Sequence, residues 1–390
     1  MTPAARVQAA IEILDRIAAG AATEQALTAW ARQSRYAGSK DRAAVRDHVF
    51  DAIRCRRSYA ALGGGESGRA IMLGALRDSA TPVETLFTGA PHAPAELTPA
   101  ELEAGGAPQG VDRLDLPDWL WPKFQDSLGD MAEPTALALR DRAGIHLRIN
   151  SRRIDRAAAM AMLSGEGIIT QPHPAAETAL AVTEGARRIR QSRAYADGLV
   201  ELQDAASQAL SLAVPLSAGT RVLDYCAGGG GKTLALAARG VKDITAHDVS
   251  PARMRDLPAR AERAGVKVRL ADSREVPGLA PFDVVLCDVP CSGSGSWRRA
   301  PDGKWALTPR RLAELVTLQA QILDQVAPLV APGGVLAFAT CSVLRDENGD
   351  QVRAFRDRHP DWGEQATIAW PVTPDATGTD GFHLSLLTRN

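Results

Sequence analysis

From Thr220 onward the chain repeats one rhythm: a short apolar strand, a polar or glycine-rich turn, then an amphipathic helix. RVLDY, ITAHDV, VKVRLAD, FDVVLCDV and VLAFATCS read as strands, with TLALAARG, PARMRDLPARAERAG and TPRRLAELVTLQAQILDQVAPLV as helices between them. Strands joined by helical crossovers can pair only in parallel, so the alternation predicts a doubly wound α/β sheet. The tail, TIAWPV then FHLSLLTRN about a Gly/Thr/Asp turn, predicts an antiparallel hairpin at its edge. Residues 206–390 are therefore expected to form a Rossmann-like domain. Ligands of such sheets sit beyond the carboxyl ends of the strands.

The preceding residues have a different grain. Val7, Ile11 and Leu14 share one helical face, and in DRAAVRDHVFDAIR a stripe of Val45, Val49 and Ile53 lies opposite Arg42, Arg46 and Arg54. An all-α domain is expected over 1–75, with those arginines on a solvated face. Residues 76–135 are rich in Pro, Gly, Ala and Thr and read as a linker with short helices. HLRIN, RRIDRAAAMAMLSGEG, LAVTEG and GLVELQD point to a small α+β module over 136–205.

VLDYCAGGGGKT, at 222–233, is the most ambiguous stretch. It ends as a triphosphate-binding loop does, in Gly-Lys-Thr, but Cys226 stands where that loop needs its first glycine. Three further features favour a nucleoside cofactor. The next strand ends at Asp248, about 20 residues on, where a carboxylate can hold ribose hydroxyls. Another strand ends near Asp272, placed for an adenine edge. Two more strand ends carry cysteines among small residues, Cys291 in DVPCSGSG and Cys341 in ATCS. Hydrolysis of a triphosphate needs no thiol. Methyl transfer from S-adenosylmethionine to a pyrimidine does, because C5 of cytosine becomes nucleophilic only after a thiolate adds at C6. A proton donor near N3, such as a carboxylic acid, helps. The base must be unstacked to be attacked from its face.

Together DYCAGGGGKT, DVPCSGSG with the following RRAPDGKW, and ATCSVLRDEN resemble the RNA cytosine-5 methyltransferases of the RsmB/Sun kind. The lead-in GLVELQDAASQ and the tail DGFHLSLL extend the resemblance, and SKDRAAVRDHVFDAIR resembles the NusB-like domain of the ribosomal RNA branch. The resemblance implies that Cys226, Ala227, Gly228, Gly229, Gly230, Gly231 and Lys232 surround the methionine and ribose of S-adenosylmethionine. Asp248 is implied at the ribose, Asp272 near the adenine, and Asp288 facing both cofactor and cytosine. Cys341 is implied as the nucleophile, Cys291 as the aid to product release, and Lys232 as the group that places the base or Asp288. Where the family loop usually has proline, this chain has Gly229.

Trp297, Arg298, Arg299, Lys304 and Trp305 follow Cys291 closely, and with the resemblance they read as an RNA contact made by Arg298, Arg299 and Lys304. The formal net charge is −1, so any RNA site must be a local basic face. Arginine outnumbers lysine 39 to 6, a skew expected of a GC-rich coding genome. Five cysteines without a zinc-type spacing suit free thiols in a reducing cytoplasm, with no metal and no membrane span. The expected partner is small-subunit ribosomal RNA, acted on by a monomer. Transfer RNA methylation, a non-catalytic assembly factor and a triphosphatase are the rival readings.

Overall fold

A computed structural model describes residues 1–390 except 242, 375–377 and 390. The chain divides into two compact units. The first comprises Met1–Gln125, Ala132–Arg142 and Trp297–Ala306; the second comprises Asp126–Met131, Ala143–Ser296 and Leu307–Asn390.

The first unit is helical. Its opening helix, Pro3–Ala18, starts on a Thr2 side chain that accepts from the Ala5 N–H at 3.1 Å, with proline in the first turn. Val7, Ala10, Ile11 and Leu14 are buried against Val45, Val49 and Ile53 of helix Ser39–Arg54, as the spacing predicts. Arg46 lies on the solvent side, paired with Glu24. Arg54 does not: only 6% of it is exposed, and its Nε donates to the Arg298 carbonyl at 3.2 Å. The helical stripe alone could not show this, because the covering chain comes from more than 240 residues away.

The second unit holds two sheets. The strands β1 (Ile145–Ile149), β2 (Ile169–Pro172), β3 (Ala179–Glu184) and β4 (Val200–Leu202) form an antiparallel sheet in the order β2-β3-β1-β4. A helix, Arg156–Gly165, connects β1 to β2, and the short helix Arg193–Ala196 precedes β4, which is a ferredoxin-like arrangement.

The larger sheet uses β5 (Arg221–Asp224), β6 (Asp243–Ala246), β7 (Arg269–Leu270), β8 (Phe282–Asp288), β9 (Val330–Thr340), β10 (Trp362–Trp370) and β11 (Phe382–Arg389). Among the described residues it has seven strands in the order β10-β11-β9-β8-β5-β6-β7. β5 to β9 run parallel, and β11 and β10 antiparallel at the edge. The α/β expectation with its terminal hairpin holds; part of the hairpin turn, 375–377, lies outside the described residues. One strand is shorter than its sequence suggests: VKVRLAD contributes only Arg269–Leu270. The long helix runs from Pro309 to Val326, capped by the Thr308 hydroxyl on the Arg311 N–H at 3.1 Å. Leu223, Val285, Leu336 and Phe338 are fully buried in a core shared with Leu323 and Val326 of that helix.

β5 is flanked by β6 on one side and β8 on the other, so the strand order reverses there. That is the switch point at which such sheets open a ligand crevice. Asp224, Asp248, Asp288 and Cys341 all stand at or just beyond carboxyl ends on this edge.

Candidate active site

The glycine loop follows β5. The Ala227 N–H donates to the His247 carbonyl at 2.8 Å, and the Gly230 N–H closes a turn on the Ala227 carbonyl at 2.8 Å. Gly228 and Gly230 have φ of +52° and +80°, a region costly for any residue with a Cβ. At Gly230 a Cβ would also lie 2.2 Å from Leu257 Cδ1. The Gly229 carbonyl is held by the Arg260 guanidinium, an anchor at the position where the resembling loops carry proline. Helix Gly231–Ala238 begins here, and the buried Arg148 of β1 donates to the Gly231 carbonyl at 2.8 Å, joining the small sheet to the loop.

Two buried carboxylates border the loop. Asp248 accepts from the Gly228 N–H at 3.0 Å, the Ser250 N–H at 2.9 Å and the Arg253 guanidinium at 3.0 Å. Asp224 accepts from the Thr233 hydroxyl at 2.6 Å through Oδ2, while its buried Oδ1 has no partner among the described residues. Burial pushes the Asp224 carboxyl up to about 7. An orphan carboxylate oxygen is expensive inside a protein, and an ammonium group would satisfy it. S-adenosylmethionine brings such an ammonium, together with a ribose diol suited to Asp248 and a chain that a glycine turn can approach closely, so the residues fit it. Asp272 is exposed beyond β7; the N–H groups of Glu275 and Arg274 hold its carboxyl below the usual carboxylate range. Cys226 packs against the large-sheet core, and burial raises its thiol, so it is a packing group beneath the loop. Cys287, fully buried in β8, is likewise raised by burial.

The other cysteines meet. β8 and β9 are adjacent, with Asp288 level with Ala339. The loops that leave them bring Cys291 Sγ to 3.4 Å from Cys341 Sγ. Lys232 Nζ lies 2.6 Å from Asp288 Oδ2 and 5.1 Å from the Phe382 ring centroid. Burial opposes the Lys232 charge, but the Asp288 carboxylate more than offsets this and lifts the amine above its ordinary value. The hydrogen bond from Cys291 lowers the Cys341 thiol against burial and Asp288, with the Lys232 cation helping. Cys291 is pushed well up by that same bond, by burial, by the Cys341 charge and by the nearby Glu347. Of the pair, Cys341 therefore gives up its proton more readily than Cys291. The Gly-Lys-Thr sequence faces inward: Thr233 bonds Asp224 and Lys232 bonds Asp288, which leaves neither as a phosphate-loop ligand.

The family model described as 16S rRNA methyltransferase RsmB/F matches residues 211–387, and a ferredoxin-like domain model of the same family matches 116–187. Ribosomal RNA small subunit methyltransferase B of Salmonella newport is 35% identical over 288 residues, covering 70% of this chain and 66% of the relative. The Salmonella typhi protein of the same name matches equally, at 35% over 70% of this chain. This chain belongs to the RsmB/F family. The match spans just under two thirds of the length of those relatives. The crystal structure of PH0851 covers 100% of this chain and 99% of its own at TM-score 0.76 and 22% identity, which shows a common fold. A methyltransferase homolog protein from Pyrococcus horikoshii is 25% identical at TM-score 0.62, over 72% of this chain and 97% of its own.

In this RsmB/F chain the basic-aromatic segment after Cys291 lies elsewhere than a surface contact requires. Residues 297–306 belong to the helical unit. Trp297 stacks on Phe124 at 6.2 Å, Lys304 Nζ donates to the Arg54 carbonyl at 2.9 Å, and Trp305 Nε1 to the Ile53 carbonyl at 2.7 Å. These bonds satisfy carbonyls left open at the end of helix Ser39–Arg54. Arg298 and Lys304 are 0% and 1% exposed, so neither is offered to an outside phosphate; Arg299 is exposed. Sequence reasoning missed Phe382 beneath Lys232, Arg148 at the loop, and Glu347, which sits in the ATCSVLRDEN stretch and is fully buried. Nothing local in the sequence distinguishes this buried acid from the half-buried Asp346 beside it.

Proposed function

We propose that this chain methylates C5 of a cytosine in RNA, with small-subunit ribosomal RNA as substrate, through a covalent bond to Cys341. The observation that carries the reading is the pair of sulfurs 3.4 Å apart beside the Lys232–Asp288 ion pair, at the carboxyl edge of a methyltransferase-type sheet. The Salmonella relatives bear the small-subunit ribosomal RNA name, and the substrate class is inferred from them.

Cys341, held as thiolate by its thiol neighbour and the Lys232 cation, adds to C6 of the unstacked base. The electron pair of the C5–C6 bond moves toward C5 and N3. Asp288 and Lys232 meet the developing charge and the proton at that edge. The 226–232 loop, Asp248 and Asp224 would hold S-adenosylmethionine, whose sulfonium–methyl bond would break as C5 takes the methyl group, leaving S-adenosylhomocysteine. Loss of the C5 proton re-forms the double bond and expels the Cys341 thiolate. Cys291, next to it, assists that release. Arg299 is the exposed member of the expected RNA contact, and the helical unit is read as a NusB-like RNA-binding domain.

The test is RNA carrying 5-fluorocytosine, whose fluorine cannot leave as a proton does and so arrests the reaction at the covalent stage. With ribosomal RNA substrate, wild type and Cys291→Ala are expected to accumulate the adduct and Cys341→Ala to lose it. The opposite pattern reverses the thiol roles; no adduct from wild type together with no gain of 5-methylcytosine by bisulfite sequencing overturns the reading. Bisulfite sequencing of transfer RNA from the same cells separates the two RNA classes.

A further inference from the structure

The two sulfurs come from separate loops, so something must hold those loops in register. The residues that immediately follow the cysteines are both serines, Ser292 and Ser342, and both turn onto one carboxylate. Glu347 is 0% exposed. Its Oε1 accepts from the Ser292 N–H at 2.7 Å and from Gln319 Nε2 at 3.1 Å. Its Oε2 accepts from the Ser342 hydroxyl at 2.6 Å and from the Ser292 hydroxyl. Gln319 also bonds the Pro290 carbonyl at 2.9 Å, one residue before Cys291. On the other loop, Asn348, next to Glu347, accepts from the Thr340 hydroxyl at 2.5 Å and donates to the Ser342 carbonyl at 2.9 Å. The ring of bonds thus brackets Cys291 from 290 to 292 and Cys341 from 340 to 342.

We propose that Glu347 is the positioning residue of this site: its buried carboxylate ties the turn after Cys291 to the turn after Cys341 and so holds the two sulfurs in contact. The inference rests on the methyltransferase reading for its catalytic consequence, but the clamp itself is a matter of geometry. A buried carboxylate with no ion pair among the described residues is tolerated only when fully hydrogen-bonded, and four donors meet that condition here. Its charge falls on Cys291 rather than Cys341, which favours the proton on Cys291 and leaves Cys341 as the nucleophile. A displacement of about 1 Å between reacting groups typically costs about 10²-fold in rate, so a loosened clamp should reach kcat while leaving cofactor binding intact.

The experiment uses the full chain and two readouts. The first is the share of molecules that form a Cys291–Cys341 disulfide under limiting diamide, measured by peptide mapping; it needs no RNA and no methyl transfer. The second is kcat and KM for methylation of ribosomal RNA. Glu347→Ala is expected to cut disulfide capture at least about fivefold and kcat about 10²-fold, with the Kd for S-adenosylmethionine unchanged. Glu347→Gln, which keeps one acceptor oxygen for the Ser292 and Gln319 N–H groups and turns an NH2 donor toward the serine hydroxyls without the charge, is expected to restore capture while kcat stays reduced. A folded Glu347→Ala chain with wild-type capture and kcat overturns the proposal. Should Glu347→Ala fail to fold, Ser292→Ala removes one arm of the clamp, and wild-type capture and kcat in that variant overturn it equally. If wild type captures the disulfide but methylates no RNA, the functional reading fails while the clamp stands.

Discussion

Cys291 Sγ lies 3.4 Å from Cys341 Sγ, although the residues are 50 positions apart and belong to different loops. At that distance one sulfur donates to the other, and the surrounding charges decide which gives up its proton more readily. Lys232 is on the Cys341 side and Glu347 on the Cys291 side.

This asymmetry predicts different failures for the two alanine variants. Cys341→Ala removes the proposed nucleophile and should lower kcat by at least about 10³-fold. Cys291→Ala should still attack but release slowly, so ordinary cytosine RNA is expected to remain bound to the enzyme as an adduct stable in denaturing gels. Equal, adduct-free loss in both variants would count against a divided role.

Lys232 should help the Cys291 hydrogen bond to set the acid limb of the pH–rate profile. The Cys341 thiol stands below its ordinary value, so activity is expected to persist below the ordinary thiol range of about 8.5. In Lys232→Met the supporting cation is gone, the thiolate forms only at higher pH, and the acid limb of kcat/KM should move upward along with a fall in rate. An unmoved limb would remove Lys232 from the ionisation of Cys341.

Gly230 predicts a cofactor-specific defect. An alanine there must adopt left-handed backbone, costing about 1–2 kcal/mol, and its Cβ would also collide with Leu257. S-adenosylmethionine binding in Gly230→Ala, measured calorimetrically, should weaken at least about tenfold. Alanine at Gly240, whose φ is also positive but which has open space around it, serves as the control and should leave the Kd near wild type.

Lys304 predicts a pH dependence of stability. Burial lowers its amine to about 8 in the folded chain, against about 10.4 when unfolded. Below pH 8 it is charged in both states and the burial penalty is present in full. Between these values the unfolded chain binds more protons, so stability rises with pH by at most about 3 kcal/mol. The Tm of wild type relative to Lys304→Met should therefore increase from pH 7.5 to pH 10. A constant difference would mean that Lys304 is not buried as a charge.

The parallel sheet, its antiparallel edge and the strand ends that carry Asp224, Asp248, Asp288, Cys291 and Cys341 were legible in the sequence, because strand–helix alternation and glycine turns are local properties that dictate topology. The fate of 297–306 was not: Arg298 and Lys304 read as an RNA contact, and only packing against the end of a helix some 250 residues earlier buries them. Nor could spacing reveal Glu347, whose importance comes from two serines on separate loops converging on its carboxylate. Local pattern fixes which elements form and in what order they pair; which side chains share a proton, a charge or a hydrogen bond depends on distances that exist only after the chain has closed on itself.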